Sequence, residues 1–177
     1  MNGLGLVALR LALAAVFVAH GANKLFGLWA GPGIGVGGPD VTAQFFAAIN
    51  LNPAFPLAVF VGIVEFFGGL LLAVGFLTRF VSPLLTIIMG VAIWKVHLMN
   101  GFFLNWMGTP DRGQGTEFSV VLIGALVCLT LTGAGDWSID GYRESTRASR
   151  EAGRARLRGV IGLNPRYTFE TFVKGAS

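Results

Sequence analysis

The chain has 177 residues, 54% of them hydrophobic and only 12% charged, and its mean hydropathy is +0.69. That balance excludes an ordinary soluble domain and points to a membrane protein. The single cysteine, Cys128, excludes an internal disulfide and a cysteine-held metal cluster.

Four stretches are long and apolar enough, or nearly so, to cross a bilayer, which takes about 20 residues: 4–26, 53–77, 81–98 and 117–134. In lipid every backbone N–H and C=O must find a partner within its own segment, so helices are expected and open strands are not. The predicted fold is all-α: an integral membrane four-helix bundle with a short outer surface helix and a basic cytoplasmic tail. Residues 1–141 form the transmembrane domain and 142–177 the tail. The first span carries Arg10 within its apolar run, no basic segment precedes it, and "FVAHGANK" lacks a small-x-small cleavage site, so it reads as a retained helix. The glycines and prolines of "GLWAGPGIGVGGPD" make a loop without the pattern of a phosphate-binding turn. After it, "DVTAQFFAAIN" predicts a short surface helix with Thr42 or Asp40 as N-cap.

Charge sets the expected orientation. Residues 141–177 carry eight basic side chains against three acidic ones, whereas 1–140 carry five against six. Positive flanks stay in the cytoplasm, which places the C-terminus there, and an even number of spans returns the N-terminus to the same side of a bacterial-type inner membrane. Arg79, in the link between the second and third spans, agrees. The connections 27–52 and 99–116 then face outward. Trp29, Phe102, Phe103 and Trp106 suit the outer interface belt, Trp137 and Tyr142 the inner one.

Glu65 falls near the middle of its span, where a charge survives only if paired, protonated or facing a wet cavity. Arg10 is its expected structural ion-pair partner. His20 and Lys24, four residues apart, share a face of the first helix, and Gly62, Glu65 and Gly69 share a face of the second that suits close helix contact. With Lys95, His97 and Glu117 these groups are expected to converge in the outer half of the bundle as a polar pocket open outward. His20 and His97 would also suit a haem, or a divalent metal together with Glu65 or Glu117. Lys24 and Lys95 would repel a cation, and neither haem nor metal is favoured.

Four segments in order carry a family resemblance: "LRLALAAVFVAHGANKLFG", "VEFFGGLLLAVGFLTR", "WKVHLMNGFF" and "GAGDWSID". The chain resembles the DoxX family of small four-helix membrane proteins over about residues 4–141. The most specific positions are His20, Gly21 and Lys24; Glu65, Gly68 and Gly69; and Gly133, Gly135, Ser138 and Asp140. The resemblance implies quinone-linked redox chemistry as a subunit of a larger system, with whether the chain is catalytic alone left open. On that reading Glu65 and His20 are the catalytic candidates, able to hold and pass a proton, and Lys24, Lys95, His97 and Glu117 the candidates for binding a quinone. Phe17, Phe66, Phe67 and Trp94 would supply an aromatic wall. A scaffold subunit of an electron-transfer complex and a small-solute or proton transporter are the alternatives.

If helical, residues 143–158 align Arg143, Arg147, Arg150, Arg154 and Arg158 in one stripe, suited to anionic headgroups or an acidic protein partner more than to nucleic acid. The closing "LNPRYTFETFVKGAS" resembles the short segment that leads into the ATPase domain of the replication initiator DnaA; the rest of that domain is absent.

Overall fold

A computed structural model describes residues 3–29 and 37–161, which contain helices and loops and no strand. The chain divides into two units, Met1–Gly141 and Tyr142–Ser177. In chain order the helices are α1 (Gly3–Phe26), α2 (Gly38–Ala48), α3 (Ala54–Val74), α4 (Thr78–Ala92), α5 (Glu117–Thr132) and α6 (Ile139–Ile161). The α4 helix runs on through a π-helical turn, Ile93–His97, and a 3-10 turn, Leu98–Asn100. Among the described residues three segments are long and apolar enough to cross a membrane: Gly3–Phe26, Ala54–Val74 and Thr78–Asn100. The fourth apolar helix, α5, has 16 residues, which at 1.5 Å per residue is about 24 Å.

Small residues decide which helices meet. A Cβ built on Gly21 of α1 would lie 2.3 Å from the backbone nitrogen of Phe66 in α3, and one on Gly69 would lie 2.9 Å from the backbone nitrogen of Val18. Only glycine lets the two backbones approach so closely. Gly62 packs likewise on Leu25, so the expected small-residue face of the second span is the α1 contact. Gly68, one position from that face, meets Val81 and Leu85 and sets the α3–α4 contact. Phe17, Leu72, Leu85, Leu126 and Leu129 fill the core between α1, α3, α4 and α5.

The end of the first unit formed by the start of α1 and the α3–α4 turn is closed by the "GAGDWSID" segment. α3 ends at Gly75 in the left-handed conformation (φ 66°) and α4 begins after Leu77, also left-handed (φ 53°). No side chain of that turn caps α4. Asp140 does so from afar: its Oδ1 accepts Leu77 N–H at 3.0 Å and its Oδ2 accepts Thr78 N–H at 2.9 Å, while its own N–H donates to Gly75 O. Arg10 is 1% exposed and donates from Nη2 to Trp137 O at 2.7 Å. A Cβ on Gly75 would strike the Arg10 guanidinium.

Two expectations are corrected here. Arg10 is not the partner of Glu65: α1 and α3 run antiparallel in a register that sets Arg10 beside Gly75, ten residues or about 15 Å along α3 from Glu65. The short helix at 38–48 begins before both expected caps, with Pro39 in its first turn; Asp40 lies in that turn and Thr42 Oγ1 donates back to Gly38 O at 2.7 Å. Pro39 fits there because it has no N–H to leave unpaired.

In the second unit α6 continues as one helix, and Arg143, Arg147, Arg150 and Arg154 are exposed along it. The side chain of Arg158, the stretch 30–36 of the glycine-rich loop and the closing segment 163–177 lie outside the described residues.

Candidate functional site

α1, α3, α4 and α5, with α2 and the α4–α5 loop, enclose a cavity of about 700 Å³. Five of the six polar side chains singled out above line it: His20, Lys24, Glu65, Lys95 and His97. Almost every other lining residue is apolar. The chemistry is thus a small ionisable cluster set in a hydrocarbon wall, the usual composition of a site for a small organic ligand.

Glu65 sits at the middle of α3 and Lys24 in the last turn of α1. Lys24 Nζ donates to Glu65 Oε2 at 2.5 Å, with the side chains 15% and 6% exposed. The register that removes Arg10 from Glu65 therefore supplies Lys24 in its place. His20 lies one turn before Lys24, and its Nδ1 is 3.0 Å from Val16 O. His97 ends the π-helical turn, and its Nδ1 is 3.0 Å from Gln114 O. A carbonyl only accepts, so both imidazoles carry a proton on Nδ1, and in each neutral ring Nε2 is the lone-pair nitrogen. Lys95 Nζ stacks 4.5 Å from the centre of the Trp94 ring. The extra residue of a π turn shifts side chains around the helix and is frequent at functional sites.

Glu117 is not among the lining side chains. Its Oε2 accepts the Leu104 N–H at 3.1 Å, and its own N–H donates to Phe102 O at 2.8 Å, so it ties the α4–α5 loop to the start of α5. Sequence reasoning missed two lining polar residues, Ser119 of α5 and, in the α4–α5 loop, Gln114. It is placed by the loop: Asn100 Oδ1 accepts Gly113 N–H, and Gln114 Oε1 accepts Asn105 N–H. The aromatic wall also differs. Phe17 lines the cavity, but Phe66 and Phe67 pair edge to face outside it and Trp94 is exposed. Phe45 and Phe46 of α2, Phe60 of α3 and Phe118 of α5 take their place. An adjacent Phe pair on an isolated two-to-three-turn helix, with little else apolar to bury it, was the available signal. Among the described residues no three His, Cys, Asp or Glu side chains gather as a metal site.

The sequence profile of the DoxX family matches residues 5–98, more than half of the chain. The protein belongs to the DoxX family. His20, Lys24, Glu65, Lys95 and His97 all fall within the matched region, whereas Asp140 and its closing segment lie beyond it. The chain is also similar to a Bacillus subtilis (strain 168) protein named "Putative oxidoreductase CatD", 29% identical over 139 residues that cover 78% of this chain and 87% of the relative. No solved structure matches. Family and apolar helices together make this DoxX protein a multi-pass membrane protein.

Proposed function

We propose that this DoxX protein is a membrane subunit of quinone-linked redox chemistry, with the cavity as the quinone headgroup site. The observation that carries the reading is the gathering of His20, Lys24, Glu65, Lys95 and His97 on one otherwise apolar cavity between the apolar helices. The redox word in the relative's name supports it. A bound quinone supplies an acceptor for two electrons and two protons. The residues fit that group: two carbonyl oxygens need donors, which Lys24, Lys95 and the histidines offer, and the ring needs an apolar slot. Glu65 holds and releases a proton beside Lys24, and His20, with Nε2 as its lone-pair nitrogen, is the second proton carrier. The electron donor is a partner protein.

In this reading α1, α3, α4 and α5 form the transmembrane four-helix bundle, α2 lies on its outer surface, and both termini are in the cytoplasm of a bacterial inner membrane. The test is binding of a tail-less benzoquinone to the detergent-purified protein. Glu65→Gln and His20→Phe are each expected to weaken binding roughly tenfold, the loss of one charged or well-placed hydrogen bond, while the helical spectrum stays unchanged. Unaltered affinity in both variants refutes the site.

A second reading is an accessory subunit of an electron-transfer complex. It is favoured by the exposed row Arg143, Arg147, Arg150 and Arg154, a docking face for lipid or an acidic partner. Native mass spectrometry of protein taken gently from its own membrane separates the two: retained quinone supports the first, stable partner subunits without quinone the second.

A further inference from the structure

We infer that the cavity opens sideways into the bilayer between α3 and α4, and that this gap takes the isoprenoid tail of a membrane quinone. The inference rests on the quinone reading above. It begins with how the two helices pack. Their contact is made by Gly68 against Val81 and Leu85, near the turn that joins them. The lining residues of both helices lie beyond that contact, on the side toward α2: Leu57, Phe60 and Val61 on α3, Ile87, Ile88 and Val91 on α4. The pair thus closes at one end, and the cavity occupies the space at the other.

Helical geometry then gives the direction of the opening. At 100° per residue, the α3 lining runs from Glu65 on the interior, through Val61 and Leu57, to Phe60 on the outer surface facing α4. The α4 lining runs from Ala92, through Ile88 and Val91, to Ile87 on the outer surface facing α3. Phe60 is 51% and Ile87 63% exposed. Both are cavity walls and both belong to the apolar exterior that a bilayer covers. The path between them carries no charge. The ion-paired groups stand at its inner end, on Lys24 and Glu65. An amphiphile with a polar ring and a long hydrocarbon tail matches that gradient, and one arriving from lipid has no aqueous barrier to cross.

The test uses a quinone carrying a photoreactive diazirine at the far end of an isoprenoid tail, added to full-length protein in nanodiscs. After irradiation and proteolysis, labels are expected on the peptides holding Phe60 and Ile87, and excess tail-less benzoquinone is expected to suppress them. In parallel, Ile87→Trp narrows the gap from its lipid rim. It is expected to weaken the tailed quinone about tenfold and the tail-less one less than twofold. Labels on α1 and α5, or a loss caused by Val16→Trp and not by Ile87→Trp, would place the tail elsewhere and overturn the inference while leaving the headgroup site intact. If neither quinone binds the unaltered protein, the quinone reading falls and this inference falls with it.

Discussion

Lys24 and Glu65 are buried to different degrees, and the difference predicts which is costlier to remove. Lys24 stands in the last turn of α1 with a side chain 15% exposed; Glu65, 6% exposed, has no helix end within reach. A lysine that loses its partner can extend toward the interface, whereas a mid-helix carboxylate cannot. Lys24→Met is therefore expected to destabilise by about 3 kcal/mol, as removal of one half of a buried pair does, and Glu65→Gln by about 1 kcal/mol. The double variant is expected to recover most of the Lys24→Met loss, read as a thermal-unfolding cycle in one detergent. Equal single losses that add in the double variant would mean that the two side chains do not interact. The need of Glu65 for a counterion was legible in the sequence because the cost of a charge at that depth depends on one position alone. The identity of the counterion was not, because it depends on the register of two helices whose paired residues, Lys24 and Glu65, stand 41 apart in the chain, and Arg10 and Lys24 lie near the same face of α1.

At the scale of helices, glycines of one type have opposite roles. Gly21 touches the Phe66 backbone, which cannot move aside without separating α1 from α3, whereas nothing lies within 4 Å of a Cβ on Gly90. Gly21→Ala is expected to cost about 3 kcal/mol or prevent folding, and Gly90→Ala to gain roughly 0.5 kcal/mol by removing backbone freedom from the unfolded chain. Melting temperatures measured side by side decide this: a tolerated Gly21→Ala would refute the close α1–α3 crossing. Asp140 makes a third case, since Asp140→Ala removes the acceptor of two α4 N–H groups and is expected to cost about 1–2 kcal/mol, with Asp140→Asn costing less. An unchanged melting temperature for Asp140→Ala would deny the cap any energetic weight. The long helices were legible because roughly 20 apolar residues in a row have few other uses. The π-helical turn at Ile93–His97 was not, since one shifted hydrogen-bond register leaves no compositional trace. Nor was the cap on α4, whose acceptor is supplied 62 residues downstream.

For the whole molecule, the antiparallel order of α1, α3, α4 and α5 turns charge asymmetry into a statement about sides. Arg10, Arg79 and Asp140 gather at the end where α3 turns into α4, and the chain leaves that end toward the arginines of α6. The opposite end carries α2 and the α4–α5 loop, with Phe102, Phe103, Trp106 and Met107 exposed. Because lysine and arginine near a span resist translocation, the first end is expected in the cytoplasm and the second outside. Two single-cysteine reporters read this directly, in a background where Cys128, which lies inside α5, is replaced by serine. Met107→Cys is expected to react with a membrane-impermeant maleimide in intact cells, and Ala148→Cys only after the membrane is opened. The reverse pattern would put the α2 end in the cytoplasm. Replacing Arg143, Arg147, Arg150 and Arg154 by glutamine together removes half of the eight basic side chains that follow α5, and is expected to produce a fraction of molecules in which Ala148→Cys reacts from outside. If the labelling pattern stays unchanged, Arg10, Arg79 and the four basic side chains that remain beyond Arg154 suffice to hold the orientation, and the four replaced arginines are then left for binding lipid or a partner.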